Sequence, residues 1–408
     1  MTNQPLVVAG VDTHKDTHYA AVITVTGEHI GSAQFPATDA GYRALTGFIT
    51  CHGALLRTGV EGTNSYGAGL TRHLHNVGIE VVEVIRPARQ VRRMRGKSDP
   101  LDAYTAAHTA LANNNTVTAK TSNGTVEAIR VTNAARRSAM KARTEVIVQL
   151  KSLIVTAPEA VRDEYRNLTT GALIPKLSGS RGRAGGDEIE AHTRSALKRL
   201  AIRYQQLNEE IATYDTDLAQ LVGVINPALV QTKGIATITA AQLLITAGDN
   251  PERLRSEAAF AMLCGAAPLP ASSGKTTRHR LNRGGDRAAN SALHKIAIVR
   301  MATDPETRNY VTRRTAEGKT KKGILRCLKR AIAREVFHLI TDPQPVAETG
   351  DLRPTRKNLG LTLAEAADAL GCSLLKISRI ERGHVNDSKF LTTYRTWLKQ
   401  QTPAQIAA

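Results

Sequence analysis

The 408-residue sequence has few aromatic residues, few cysteines and no long apolar segment, and each absence excludes a class of function. Aromatic residues make up 4% of the chain, so stacking of bases on Phe or Trp is not expected to dominate binding. Its 4 cysteines are far apart and match no disulfide framework or zinc spacing, so we expect buried or free thiols in a reducing cytoplasm. Neither a membrane-spanning helix nor a secretory signal is expected, because the chain starts with the polar stretch "MTNQP" and has no long apolar run.

Acidic residues are also scarce relative to basic ones. Lys and Arg number 55 against 36 Asp and Glu, which gives a formal net charge of +19. A chain this basic most often binds nucleic acid, through Arg and Lys contacts to phosphate. A ribosome-like or merely well-solvated surface is the alternative, and it fits less well with a hydrophobic content of 41%. Double-stranded DNA is therefore the expected partner, and no membrane is.

The patterns along the chain predict an α/β domain followed by helical domains. Residues 1–123 show three strands and then strand–helix–strand, which predicts a mixed sheet flanked by helices. Residues 124–222 contain two long, charged stretches with apolar residues at helical spacing, which predict an antiparallel helical hairpin. A compact helical domain is predicted over residues 223–342, and a separate last unit over residues 355–402. The predicted fold class is α/β plus all-α.

The segment "PLPASSGKTTRHR", residues 268–280, supports two incompatible interpretations. Its "GKT" could end a phosphate-binding loop, or Ser272 or Ser273 could be a nucleophile on a tight glycine turn. A phosphate-binding loop needs a glycine five residues before its Gly-Lys pair, but Leu269 lies there, between two prolines. The phosphate-loop interpretation therefore fails. The nucleophile interpretation expects a loop that enters a helix, with basic side chains near the serine.

Four acidic residues lie where a metal site could form: Asp12, Glu61, Asp99 and Asp102. Asp12 and Glu61 end predicted strands, and carboxylates at strand ends meet at one edge of an α/β sheet. The other two lie three residues apart at the start of a predicted helix and share one face. Two Mg²⁺ ions about 3.5–4 Å apart could neutralise such acids and assist phosphoryl transfer. Alternatively, Asp102 could simply favour a helix N-terminus, and Asp12 could cap a turn.

Other residues near the first strand are weaker candidates. Asp16 begins the outer hairpin and is a less favoured fifth acid. His14 and His18 lie four residues apart on a strand-like stretch and are expected at the surface.

Basic residues cluster next to both candidate sites. A run of this kind is usually a solvated face, but beside a metal cluster or a nucleophile it is suited to steering a phosphate backbone. The predicted nucleic-acid contacts are Arg92, Arg93, Arg95 and Lys97 before the acids, and Lys275, Arg278, Arg280 and Arg283 after the serine.

The last unit has the spacing of a helix-turn-helix of the phage-repressor (Cro-like) type. In "LTLAEAADALGCSLLKISRIERG", Thr362 and Ser373 are predicted caps, and Gly371 forms the turn. The small or apolar residues predicted to face inward are Ala366, Ala367, Leu374, Ile377 and Ile380. The residues predicted to be exposed for reading DNA are Lys376, Ser378 and Arg379. A three-helix unit that serves packing only is the alternative.

Several motifs together resemble the transposases of one group of bacterial insertion sequences, the one-ten family. The motifs are "GVDTHKDTH", "VEGTNSYG", "KSDPLDA" and "AMLCGAAPLPASSGKTTRHRLNRGGDR", and the resemblance covers roughly residues 5–340. It implies a RuvC-like, ribonuclease-H-like domain with a D-E-D-D metal site at Asp12, Glu61, Asp99 and Asp102. It also implies a catalytic serine before a glycine, at Ser273, with the doublet Ser272-Ser273 leaving a one-residue ambiguity.

The resemblance implies further partners and a cellular setting. Members of the family act under the guidance of a structured bridge RNA and assemble as tetramers with composite active sites. We accordingly expect a homo-oligomer, from dimer to tetramer, in the bacterial cytoplasm in association with the nucleoid. The helix-turn-helix departs from the family's core.

The function predicted from these features is a Mg²⁺-dependent serine recombinase that excises and inserts an insertion sequence. One alternative is a RuvC-like nuclease or junction resolvase that uses metal-activated water, with Ser273 only structural. A second alternative, from a different class, is a DNA-binding regulator without catalytic activity.

Overall fold

The computed structural model describes residues 4–84, 98–113, 116–181, 187–273, 279–343, 348–383 and 387–401. The chain forms two compact units. The first comprises Met1–Glu127 and Ala247–Ala259, and the second comprises Ala128–Thr246 and Phe260–Ala408. Within the described ranges, every helix is too short or too polar to cross a membrane.

The first unit contains a six-stranded mixed sheet with the order β3-β2-β1-β4-β5-β6. Strands β1–β2 and β2–β3 pair antiparallel, β1–β4 and β4–β5 pair parallel, and β6 closes the far edge antiparallel to β5. The strands are β1 (Leu6–Thr13), β2 (Thr17–Thr24), β3 (His29–Pro36), β4 (Ala54–Glu61), β5 (Val81–Val84) and β6 (Thr116–Thr118). The predicted mixed sheet is confirmed, whereas β6 was not predicted because three residues are too short for a periodic pattern.

Helices cover both faces of the sheet. The helices are α1 (Asp39–Cys51), α2 (Ala68–Asn76) and α3 (Asp99–Ala112). Alternate residues of a strand point to opposite faces, and Val7, Ala9 and Val11 of β1 join a core with apolar residues of α1 and α2. Val8, between them, joins a separate core with Ala107 of α3. The near-continuous burial of β1 follows from this two-sided packing.

Helix α3 lies unusually close to the sheet because glycines and alanines face each other. A Cβ atom on Gly10 of β1 would lie 2.1 Å from the backbone nitrogen of Ala107 and 2.2 Å from the carbonyl oxygen of Ala103. One on Gly59 of β4 would lie 2.7 Å from the carbonyl oxygen of Ala106. Only glycine permits this contact. The N-terminus of α3 is thereby fixed near the carboxyl end of β1.

The second unit begins with two long antiparallel helices. Helix α4 spans Thr125–Thr156 and helix α7 spans Glu188–Ile225. Arg136 of α4 pairs with Asp215 at 2.5 Å, and Arg143, further along α4, donates to Asn208 at 2.6 Å, earlier on α7. Because the partner positions run in opposite directions, the two helices are antiparallel, as the spacing predicts.

Two short helices between the long ones were not predicted. They are α5 (Glu159–Tyr165) and α6 (Thr170–Ser178), and they join α4 and α7 in a shared apolar core. Each has fewer than ten residues, and Pro158 and Pro175 interrupt the helical pattern in the sequence.

The rest of the second unit is mostly helical, apart from a small hairpin. Its elements are α8 (Pro227–Gln231), α9 (Thr237–Ala247), α10 (Glu257–Leu263), β7 (Leu269–Pro270), β8 (His279–Arg280), α11 (Arg287–Thr303), α12 (Pro305–Ala316) and α13 (Lys321–Thr341). Helix α11 begins at a strong cap, because Asp286 accepts hydrogen bonds from the backbone nitrogens of Ala288 and Ala289. Asp304 caps α12 in the same way, and Lys233 and Thr307 hold the pKa of Asp304 at about 2.

The C-terminal part of the second unit folds around its own core. Its helices are α14 (Leu352–Asn358), α15 (Leu363–Ala369), α16 (Leu374–Glu381) and α17 (Ser388–Lys399). The core includes Leu352, which lies before the predicted start of this part at residue 355. Thr362 and Ser373 cap α15 and α16, as predicted. A buried Arg356–Glu381 ion pair at 2.6 Å, with Tyr394 donating to Glu381 at 2.7 Å, ties α14, α16 and α17 together.

Candidate active site

Two acids and a histidine meet at the carboxyl end of β1. Asp12 is 3% exposed, and its Oδ2 lies 3.1 Å from Nε2 of His14. The same nitrogen lies 3.4 Å from Oδ1 of Asp99, at the start of α3. One ligand atom from each residue lies within 4.8 Å of the other two, and among the described residues this is the only such trio of His, Cys, Asp or Glu. These oxygen and nitrogen atoms are suitable ligands for a divalent cation.

His14 was expected at the surface, and its side chain is partly exposed there but also contacts the acids. Its side chain is 41% exposed, but the ring reaches both acids. The turn after β1 explains this, because the backbone nitrogen of His14 bonds to the carbonyl oxygen of Thr17 and closes the chain over the strand end. The sequence feature that could have identified His14 is its position two residues after the aspartate at the end of the strand.

Asp102 and Glu61 lie near the trio without belonging to it. Burial raises the pKa of Asp12, His14 opposes the rise, and the charges of Asp102 and Asp99 add to it. Asp102 is therefore close enough to interact electrostatically with Asp12. Glu61 ends β4, the parallel neighbour of β1, and is 6% exposed. Thr13 donates to the backbone carbonyl oxygen of Glu61 at 2.8 Å, which joins the two strand ends.

The carboxylates around Asp12 are suited to bind a divalent cation. A buried carboxylate beside two others carries unfavourable repulsion, and the raised pKa of Asp12 reflects both its burial and that repulsion. A cation held by these side chains would relieve it.

His18 was predicted to be exposed, and this prediction is wrong. The ring lies on β2 with no exposed surface and stacks on Tyr42 at 5.6 Å between ring centroids. Burial lowers the pKa of His18, so the neutral ring is the favoured form. His18 points into the core with α1 because alternate residues of β2 face that side.

The segment with the two serines forms a hairpin. Strands β7 and β8 pair antiparallel, with Leu269 opposite Arg280 and Pro270 opposite His279. Ser272 and Ser273 follow β7 and are exposed. The expectation of a loop that enters a helix is therefore wrong: the chain returns through β8 before α11 begins.

Several predicted basic contacts fall outside the described residues, and two within them are exposed. Those outside are Arg92, Arg93, Arg95, Lys97, Lys275 and Arg278. Arg280 lies on β8 and Arg283 follows it, and both are exposed.

The base of the hairpin is braced by two glycines and an asparagine. A Cβ atom on Gly285 would lie 2.7 Å from the backbone nitrogen of Gly265, so the two segments touch through their backbones. Both glycines have positive φ, at 62° for Gly265 and 79° for Gly285. The amide of Asn290 donates to the carbonyl oxygens of Cys264 and Gly265, each at 2.9 Å, and Lys329 donates to Asn290 at 2.9 Å. The paired motifs "CGAAPLP" and "RGGDR" therefore form one rigid support for the serine-bearing segment.

Of the three predicted DNA-reading residues in α16, only Arg379 is exposed. Ser378 is 9% exposed and accepts a hydrogen bond from Arg382 at 2.6 Å, so its prediction as an exposed reader is wrong. It lies next to Ile377 on the face that packs against the core. Lys376 is half-buried, 3.2 Å from Asp387 and 4.0 Å above the ring of Phe390.

Leu374 was predicted to face inward and is instead 52% exposed. It is the first residue of α16, and at this position the side chain is not covered by the core. The other predicted inward residues, Ala366, Ala367, Ile377 and Ile380, are buried.

Comparisons with known proteins place both candidate sites within matched regions. A family model described as a transposase, of the DEDD type, matches residues 9–157, which contain the four predicted acids. A model described as transposase IS116/IS110/IS902 family matches residues 226–312, which contain Ser273.

Two curated relatives belong to insertion elements. The chain is 34% identical over 119 residues to the insertion element IS110 uncharacterized 43.6 kDa protein of Streptomyces coelicolor, a match that spans 29% of each chain. It is 24% identical over 390 residues to the insertion element IS900 uncharacterized 42 kDa protein of Mycobacterium paratuberculosis, covering 82% of this chain and 96% of the relative.

Proposed function

Since the chain belongs to the IS116/IS110/IS902 family of transposases, we propose that it cuts and rejoins DNA by metal-assisted phosphoryl transfer with Ser273 as the nucleophile. The observation that carries the proposal is the convergence of Asp12, His14 and Asp99 at the end of β1, with Asp102 close by. Acids gathered at one sheet edge are suited to bind the cations that phosphoryl transfer uses.

In this proposal Asp12, Glu61, Asp99 and Asp102 hold divalent metal, with Mg²⁺ as the expected ion and two ions per site. His14 is an additional ligand candidate, because its Nε2 already lies within hydrogen-bonding distance of Asp12 and close to Asp99. Bound Mg²⁺ would polarise a phosphoryl oxygen and stabilise the charge on the leaving oxygen. The buried side chain of Asp12 and the close packing of α3 hold the ligands before the metal arrives, which lowers the reorganisation needed on binding.

Ser273 is proposed to form a covalent phosphoserine link to DNA. The bond between its oxygen and the phosphorus forms as one phosphorus–oxygen bond of the DNA breaks. The serine hydroxyl loses its proton, and the displaced DNA oxygen takes up a proton to become a hydroxyl. The energy of the broken bond is kept in the new one, so rejoining needs no nucleotide. A serine hydroxyl is a weak nucleophile, and Lys275, Arg278 and Arg280 are proposed to offset the charge that develops on the phosphorus centre. Exposure of Ser273 on a braced hairpin supports this role.

Double-stranded DNA and a structured guide RNA are the proposed nucleic-acid partners, and a dimer to tetramer is the proposed assembly. The net charge of +19 supports polyanion binding in general. The resemblance of the motifs to the one-ten family supports the RNA and the assembly. Co-purification of RNA with one defined sequence would support the proposal that the protein binds a guide RNA.

Covalent adducts trapped under denaturing conditions test the nucleophile. We expect an adduct between the wild-type protein and labelled element DNA with Mg²⁺ present, no adduct with Ser273→Ala, and an adduct with Ser272→Ala as the matched control. Asp12→Ala should also abolish the adduct, because the metal is then poorly held.

Other outcomes would identify a different nucleophile or support one of the alternative functions. Loss of the adduct in Ser272→Ala and not in Ser273→Ala would move the role by one residue. Strand cleavage without any adduct would identify a nuclease or junction resolvase that uses water. Absence of cleavage under all conditions, with tight DNA binding, would leave the non-catalytic regulator.

A further inference from the structure

A cavity of about 370 Å³ lies in the second unit at the base of the serine hairpin. Gly265–Pro268, just before β7, form one wall, and His279–Asn282, on and after β8, form another. The remaining wall is one face of α13. The cavity is therefore lined by β8 and by the residues that lead into β7, the two strands from which the Ser272–Ser273 segment extends.

The charged side chains that line this cavity are all basic. From α13 they are Arg326, Lys329, Arg330 and Arg334, and from β8 Arg280. The four helical positions are i, i+3, i+4 and i+8 and so share one face of α13. No Asp or Glu is among the described residues that line the cavity.

Five basic side chains around one cavity make it a favourable site for an anion. Burial lowers the pKa of the Lys329 ammonium, and the charge of Arg326 lowers it further. The ammonium is also fixed in place by its 2.9 Å hydrogen bond to Asn290, the residue that braces the hairpin. One of the cations that line the cavity is thus hydrogen-bonded to the residue that supports the serine segment.

The cavity is close enough to Ser273 to act on the same strand of DNA. Five chain steps lead from Pro268, which lines the cavity, to Ser273, so their Cα atoms lie at most about 18 Å apart. A duplex strand rises about 3.4 Å per nucleotide, so this distance corresponds to at most about five nucleotides.

We propose that this cavity binds a backbone phosphate of the DNA strand that Ser273 attacks, within about five nucleotides of the cut. Arg326 and Arg330 are positioning residues in this role: they hold the strand in register. The inference rests on the proposed function, because it takes the strand at the hairpin to be the one that is cut. DNA rather than guide RNA is assigned because Ser273 follows β7 and the cavity is lined by β8, the strand that pairs with β7.

The first test uses the protein's own thiols. All four cysteines are free, and Cys327, which lines the cavity, is exposed. Cys51, also exposed and in the first unit, serves as the internal reference. The duplex used for adduct trapping should slow alkylation of Cys327 about tenfold relative to Cys51. Equal alkylation of Cys327 with and without DNA at saturation would overturn the proposal. Protection by co-purified RNA and not by the duplex would overturn the assignment to DNA.

The second test neutralises one phosphate at a time with methylphosphonate linkages near the cut. One position should weaken binding by the wild-type protein and by the control Arg313→Gln, an arginine with a 70% exposed side chain on α12, about tenfold. The same position should have little effect on Arg326→Gln, because the partner charge is already gone. Equal losses in all three proteins at every position would overturn the proposal.

These results separate the cavity from the serine chemistry. If Ser273 is not the nucleophile, the wild type forms no adduct, yet the coupling between Arg326 and one phosphate persists. If the cavity does not bind phosphate, the adduct forms in wild type and the coupling is absent.

Discussion

His14 stands between two carboxylates, and two physical roles are open to it. A protonated ring would be an ion-pair partner that lowers the repulsion between Asp12 and Asp99. A neutral ring would be a nitrogen ligand for the metal those acids bind. Imidazole suits later transition metals such as Ni²⁺, whereas Mg²⁺ strongly prefers oxygen. The two roles therefore predict opposite effects of removing the ring.

We predict that His14→Ala weakens Ni²⁺ binding about tenfold and changes Mg²⁺ binding by less than about threefold, because only the nitrogen ligand is lost. Calorimetric titration of the full chain with each metal measures both constants. Asp16→Asn, an exposed neighbour, is the control and should leave both unchanged. Tighter binding of both metals by His14→Ala would show that the ring competes with the metal as a cation.

At the level of secondary structure, the site depends on how closely α3 approaches the sheet. Asp99 and Asp102 are brought to Asp12 by the contact between Gly10 and the alanines of the helix. A methyl group at residue 10 would overlap backbone atoms, which cannot move as a flexible side chain can. The helix must therefore shift as a whole.

We predict that Gly10→Ala lowers the free energy of unfolding by about 1–3 kcal/mol and abolishes adduct formation. The displaced α3 no longer presents its acids to Asp12, so metal affinity should fall as well. Gly47→Ala on α1 is the matched control, because its Cβ would meet nothing within 4 Å. That control should be neutral or stabilising by up to about 1 kcal/mol. Full activity of a folded Gly10→Ala protein would show that the position of α3 does not matter.

Local patterns predicted the elements that local chemistry determines. The caps Thr362 and Ser373 and the mixed sheet are confirmed, because capping and hydrophobic runs act over a few residues. Contacts between distant segments were not visible in the sequence. The two-residue strands of the serine hairpin carry no periodic pattern, so the hairpin was interpreted as a loop.

Side-chain direction was the least predictable feature. His18 and Ser378 are polar and were placed at the surface, but packing on neighbouring helices buries both. His14 is polar too, and only the turn after β1 directs its ring to the acids. The four acids were predicted from their positions at strand ends and at a helix start and also from the family resemblance, and the structure adds a histidine beside two of them.

At the level of the whole molecule, affinity for any DNA and recognition of a particular base sequence depend on different contacts. A net charge of +19 favours binding to any duplex, and such binding weakens steeply with salt. Recognition of particular bases needs a side chain that can reach a groove edge. In the C-terminal helices, Lys376 is engaged with Asp387 and Phe390, and Ser378 is buried. Arg379 is the predicted reader on α16 that remains exposed.

We predict that Arg379→Ala lowers affinity for the duplex sequence enriched from a random pool by about 1–3 kcal/mol, while affinity for unrelated duplexes changes far less. Lys399→Ala on α17 is the control: it removes one exposed positive charge from the same group of helices and should weaken all duplexes slightly and equally. Fluorescence titrations at several salt concentrations separate the two effects, because loss of a phosphate contact lowers the salt dependence by about one ion and loss of a base contact does not. Adduct formation should survive in both variants, since the proposed catalytic residues lie elsewhere. If Arg379→Ala behaves like Lys399→Ala on every sequence, α16 does not read bases, and the C-terminal helices contribute only charge or packing.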